Sequence, residues 1–154
     1  MIQRVQSIYL FLVFVVAVVL MFFPLATFNV GEHIFNMNIM GFEGADELGI
    51  KLPNVIIIGI LTALLGALSL FTIFQFRNRK LQMKLNMVSM LINFGLLIAI
   101  FMYSDSVAAM DAVASEFHYD IAAYFPIASV LLLILSNRNI RADEKLVRQS
   151  ERLR

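Results

Sequence analysis

The chain of 154 residues has no cysteine. That excludes disulfides, thiol catalysis and thiolate metal sites. It has no tryptophan, so an aromatic belt at a membrane boundary must come from its 4 tyrosines and 14 phenylalanines. Histidine is scarce: His33 and His118 lie far apart, which is thin material for a metal centre. Charge is scarce too, at 15% of residues against about 25% in an average soluble domain. What fills the space is apolar: 60% of the chain is hydrophobic and the mean hydropathy is +0.84. This balance excludes a soluble globular domain, a disordered tail and a nucleic-acid-binding module. It indicates an integral membrane protein with one compact membrane domain in the lipid bilayer.

Charges cut the sequence into four uncharged segments, of 27, 25, 20 and 17 residues: 5–31, 52–76, 85–104 and 121–137. A spanning helix needs about 20 residues, with a range of roughly 17–25. A charge at mid-membrane costs about 2.5–3.5 kcal/mol on the insertion scale, so the absence of charge inside the segments is informative. The expectation is an all-α membrane protein with four transmembrane helices in a bundle. The spans fall at about 6–28, 53–76, 85–104 and 119–137, inside a transmembrane domain of residues 1–139. The apolar start is too long for a secretory signal, and Phe22-Phe23-Pro24-Leu25 is bulky where a peptidase needs small residues. It reads as a retained helix.

The net charge of +1 conceals a segregation: the N-terminus, residues 77–84 and the tail hold 11 of the 12 Lys and Arg, while the other two connections hold eight of the 11 acids. The positive-inside rule then places both termini in the cytoplasm. In the first outer loop, Phe35, Met37 and Ile39 alternate with Asn36 and Asn38 after the turn at Gly31-Glu32-His33. That period of two predicts a small β-hairpin. The third loop, 105–120, is rich in helix formers and extends the third helix, and Phe117 and Tyr119 join the start of the fourth. Asn137 and Asn139 break that fourth helix from a cytoplasmic basic, amphipathic helical tail, 140–154. Pro24 and Pro126 sit inside spans, where Pro126 predicts a kink.

Three sets of residues are candidates for interaction. Gly59, Ala63, Gly66 and Ala67 on the second helix, with Gly95 and Ala99 on the third, make a small-residue seam for helix packing or for a partner. Asn86, Ser89 and Asn93 share one face of the third helix. They read as interhelical glue to Thr62, Ser69, Thr72 or Ser129, or as a polar groove. Arg77, Arg79, Lys80, Arg141, Lys145 and Arg148 form a candidate cytoplasmic docking face. Proton relays and ion pathways rely on ionisable groups within spans, and this chain has none there. Glu116, His118 and Asp120 form a loose cluster that would bind metal only if His33 converged on it; otherwise Asp120 is a first-turn carboxylate of the fourth helix, favourable to its dipole. No catalytic set, cofactor motif or metal site is legible, and the expectation is a protein that is not an enzyme.

Three stretches together carry a resemblance: Met1-Ile2-Gln3-Arg4-Val5-Gln6-Ser7, Phe76-Arg77-Asn78-Arg79-Lys80-Leu81-Gln82, and the tail from Ala142 to Arg154. Their order around four spans resembles a family of small membrane proteins from Bacteroidota, catalogued as domain of unknown function 4293. The resemblance covers essentially the whole chain. It implies a bacterial inner-membrane location and four helices, and it implies no activity. The functional expectation is an accessory or scaffold subunit of a membrane complex, with a membrane-protein partner or a second copy. The alternative is a small transporter or lipid-binding protein using the polar groove.

Overall fold

The computed structural model describes residues 2–31, 33–44, 52–76, 78–110 and 116–152. Four helices dominate: α1 (Ile2–Val19), α2 (Ile56–Phe74), α3 (Arg79–Ala108) and α4 (Phe125–Arg152). Each packs on the next, and α4 closes back on α1. The described basic residues therefore gather at one end of the bundle, with Asp143 and Glu144 among them, while Glu43, Asp105, Glu116 and Asp120 lie at the other. Three of the helices are long and apolar enough to cross a membrane; the apolar part of α1, Val5–Val19, is shorter.

The first uncharged stretch is not one helix to residue 28. Pro24 donates no N–H and disfavours helical backbone at Phe23. The chain tightens through Met21 N to Val18 O and Phe22 N to Val19 O, both 3.0 Å, and enters a strand at Ala26. Pro24 thus lies outside α1. Pro126 is no kink either. It is the second residue of α4, where a missing N–H is not needed. Nor do Asn137 and Asn139 break the chain: α4 runs without interruption to Arg152. Asn78 caps α3 by accepting from Leu81 N at 3.1 Å.

The expected hairpin is present as β1 (Ala26–Val30) and β2 (His33–Met37), paired antiparallel around Gly31, whose φ of 61° suits glycine. It belongs to a larger sheet. A short β3 (Phe42–Glu43) lies outside β2, and β4 (Glu116–Tyr119) pairs antiparallel with β1, giving the order β3-β2-β1-β4. The third connection is therefore not a helical extension throughout. α3 continues one turn past Ser104 to Ala108, and Phe117 and Tyr119 belong to β4 rather than to the fourth helix. A 3-10 turn, Ile121–Tyr124, leads into α4.

The sheet closes the acidic end of the bundle. Its inner face stacks aromatics: Phe28 lies 5.0 Å from Phe35 and 5.1 Å from Phe117, centroid to centroid. Phe28, Phe35 and Met37 are buried with Leu25, Ile58, Leu96 and Ile100. Outward-facing Leu91, Ile98, Phe74 and Phe22 remain exposed, the pattern of a surface that meets acyl chains.

Candidate functional site

The polar face of α3 turns inward, onto α4. Asn86, Ser89 and Asn93 are fully buried. Asn86 Nδ2 donates to Leu133 O at 2.9 Å, and Asn93 Nδ2 donates to Pro126 O at 2.8 Å. The partners are main-chain carbonyls of α4, not the hydroxyls expected from the sequence. Thr62, Ser69 and Thr72 instead donate to their own helix at Ile58 O, Leu65 O and Leu68 O, as such residues do inside helices. Ser129 does the same toward Phe125 O, at 3.4 Å. Gln82, which the sequence reading did not single out, is buried and donates to Thr72 O at 3.1 Å, tying α3 to α2.

The small residues do not form one seam. A Cβ on Gly66 would meet Ala17 Cβ at 3.4 Å and Phe14 at 3.6 Å, so α2 approaches α1 closely there. Gly59 approaches Ile39 O, in the connection after β2. Ala99 is buried, whereas Gly95 has nothing within 4 Å of its Cβ position. Ala63 and Ala67 are exposed. With Phe14, Val18, Gly66 and Leu70 they line an open, almost wholly apolar groove of about 310 Å³ between α1 and α2.

Of the candidate docking cations, Lys80, Arg141 and Lys145 are exposed. Arg79 faces inward, with Nη1 3.8 Å from the Asp143 carboxylate. That contact links the start of α3 to the far part of α4. Arg77 and the side chain of Arg148 lie outside the described residues. Arg138, Arg141 and Lys145 extend the same face of α4 that carries Ile127, Leu131 and Ile134, all exposed. The outward stripe thus changes from apolar to cationic past residue 137.

At the acidic end, the outer face of the sheet carries Glu43, Asn36, Thr27 and His118 in one row across four strands. Thr27 Oγ1 lies 2.9 Å from Asn36 Oδ1 and 2.8 Å from Asp120 Oδ2. One hydroxyl proton serves one acceptor, so it goes to the carboxylate and the Asn36 amide turns its N–H₂ toward Thr27. Asp120 is therefore held by the sheet, and its side chain caps no helix. His118 Nε2 is 3.9 Å from Asp120 Oδ1, while His33 sits at the other end of the hairpin, opposite Val30. Among the described residues no three His, Asp or Glu side chains are grouped to hold a metal ion. Tyr119 donates to Asp105 Oδ1 at 2.5 Å, joining β4 to α3. Burial, and then the carboxylate acceptor, raise the Tyr119 phenol pKa and keep its proton in that bond.

A family model described as a domain of unknown function (DUF4293) matches residues 2–153. The chain belongs to that family. No curated protein and no solved structure matches it. The family match covers the helices and the sheet alike, and its description assigns no activity.

Proposed function

We propose that this family member is a non-enzymatic accessory or scaffold subunit of a membrane complex in the inner membrane of a Bacteroidota bacterium. In this reading all four helices span the bilayer, α1 with help from the turn after it, and both termini are cytoplasmic. The observation that carries the proposal is the open α1–α2 groove. Small residues in lipid are useful where another helix comes close. Here Ala63 and Ala67 stand exposed beside a groove that the described residues leave open. A transmembrane helix of another subunit is the occupant with the right shape and polarity. The exposed Arg141 and Lys145, with Arg148, then meet the partner's cytoplasmic side.

The test is purification of the tagged full chain from native membranes in mild detergent, with mass spectrometry. A stoichiometric partner should accompany the natural chain and be lost when Ala63→Leu and Ala67→Leu fill the groove. Reversing charge at Arg141, Lys145 and Arg148 should weaken the same association while insertion is kept. A lone monodisperse species, or a partner indifferent to both sets of changes, overturns the proposal.

A further inference from the structure

Lys80 and Lys84 are exposed on α3 and continue, at helical spacing, the outward stripe of Met87, Leu91, Phe94 and Ile98. On α4 the exposed Ile127, Leu131 and Ile134 give way in the same manner to Arg138. Two amide bonds fix how the stripes align. Asn86 meets Leu133 and Asn93 meets Pro126, so the helices run antiparallel. Carried on toward the basic end, that register sets Lys84 level with Leu135 and Lys80 level with Asn139. Arg138 falls between them. The three cations therefore lie within about 6 Å along the helix axes, at 1.5 Å per residue. Packed helix axes are about 8–10 Å apart, a gap that long Lys and Arg side chains span.

The cluster is one-sided. Gln82 donates to Thr72 O, which sets Lys80 level with Phe74 of α2, and Phe74 is 74% exposed. α1 presents exposed Ile8, beside the Gln6 and Ser7 that share a niche with Arg79. At this level the exposed cations among the described residues thus sit on the α3–α4 side alone. Among the described residues none of Lys80, Lys84 and Arg138 is ion-paired; the Asp143 carboxylate lies toward Arg79 instead. Cations at one level, each beneath an apolar stripe, match a phosphate that carries hydrocarbon. A bare anion would use the cations and leave the stripes unused. Basic clusters between transmembrane helices hold anionic headgroups in this way.

We infer that the α3–α4 side binds one anionic phospholipid in the leaflet at the basic end. Its phosphate meets Lys80, Lys84 and Arg138. One acyl chain runs along Met87 and Leu91, the other along Ile134 and Leu131. The helices pack in a ring, so this side is opposite the α1–α2 groove. The site uses none of Arg141, Lys145 and Arg148 and does not rest on the partner reading.

Native mass spectrometry of the full chain, in micelles holding equal amounts of phosphatidylglycerol and phosphatidylcholine, tests it. The natural chain should retain one phosphatidylglycerol in preference to phosphatidylcholine. Lys80→Gln, Lys84→Gln and Arg138→Gln together should cut that preference about tenfold or more, because each cation near the headgroup strengthens binding. Circular dichroism reports that the helices are kept. Arg141→Gln, Lys145→Gln and Arg148→Gln remove equal charge from the tail and should leave the preference unchanged. A preference that survives the first triple variant overturns the inference. Equal losses in both triples would mean diffuse attraction and overturn it too. Displacement of phosphatidylglycerol by equimolar soluble glycerol phosphate would show that the chains add nothing, and would overturn the phospholipid assignment. Loss of a co-purifying partner in the second triple alone bears on the partner reading and not on this one.

Discussion

Replacing Asn86 and Asn93 together by leucine tests whether amide-to-carbonyl bonds hold α4 on α3. Leucine has the branched shape of asparagine but a larger volume, so both donors are removed and any overpacking adds to the loss. The acceptors, Leu133 O and Pro126 O, keep their own helical bonds, so no carbonyl is stranded. Each lost interhelical bond in a bilayer is worth about 0.6–2 kcal/mol. The two sites are seven residues apart on one helix, about 10 Å at 1.5 Å per residue. Effects at that separation add to within roughly 0.3–0.5 kcal/mol. The double variant should therefore lose about 1–4 kcal/mol, and each single variant about half of that. The assay is reversible unfolding in mixed micelles with increasing denaturing detergent, followed by circular dichroism. An unchanged or raised midpoint in the double variant would refute the argument. It would mean that the buried amides cost as much as their bonds return, and that apolar packing alone seats α4.

Other outcomes follow from the same geometry. Phe28→Ala removes the ring between Phe35 and Phe117; it should destabilise the protein by about 3–5 kcal/mol, read as a fall in thermal midpoint. Gly66→Val forces side-chain atoms onto Ala17 and Phe14 and should cost about 1–3 kcal/mol. Gly95→Ala enters open space and should be neutral or stabilising by up to about 1 kcal/mol; equal losses at both glycines would contradict the placement of α1 against α2. The raised Tyr119 pKa stabilises the fold below the ordinary tyrosine value, and that contribution drains as pH rises above about 10. A spectrophotometric titration should show one tyrosine ionising last, and Tyr119→Phe should remove that step together with the alkaline loss of stability.

Much of the helical layout was legible because burial in lipid leaves a strong mark on composition. Uncharged runs located α2 closely and the middle of α3, which extends beyond its run at both ends, and the period-two alternation from Phe35 to Ile39 located the hairpin. The inward face of α3 was legible as well, since Asn86, Ser89 and Asn93 recur at helical spacing. Their partners were not. A main-chain carbonyl carries no sequence signal, so Leu133 and Pro126 could not be singled out. The end of α1 was misjudged because hydropathy does not distinguish a helix from a buried turn and strand. Pro24 held the information, and its effect on Phe23 is the reason the helix stops short. The asparagines at 137 and 139 misled in the opposite sense, since their modest intrinsic preference yields to the packing of Ile140, which is fully buried.

By itself, the sequence determined that the chain folds around long apolar helices and that its charges sort to two ends. Both follow from the cost of placing charge in hydrocarbon, which acts residue by residue. That β4 joins the hairpin emerges only in the folded chain. Ala26–Asn29 and Glu116–Tyr119 are about ninety residues apart in the chain, and a four-residue strand has too little local preference to declare itself. It becomes a strand because β1 offers a free edge beside the outer end of α3, and because Phe117 completes a stack begun by Phe35 and Phe28. Tertiary structure likewise decided that Ala63 and Ala67 stay open while Gly66 closes on α1, since a helix face acquires its meaning from the neighbour set against it.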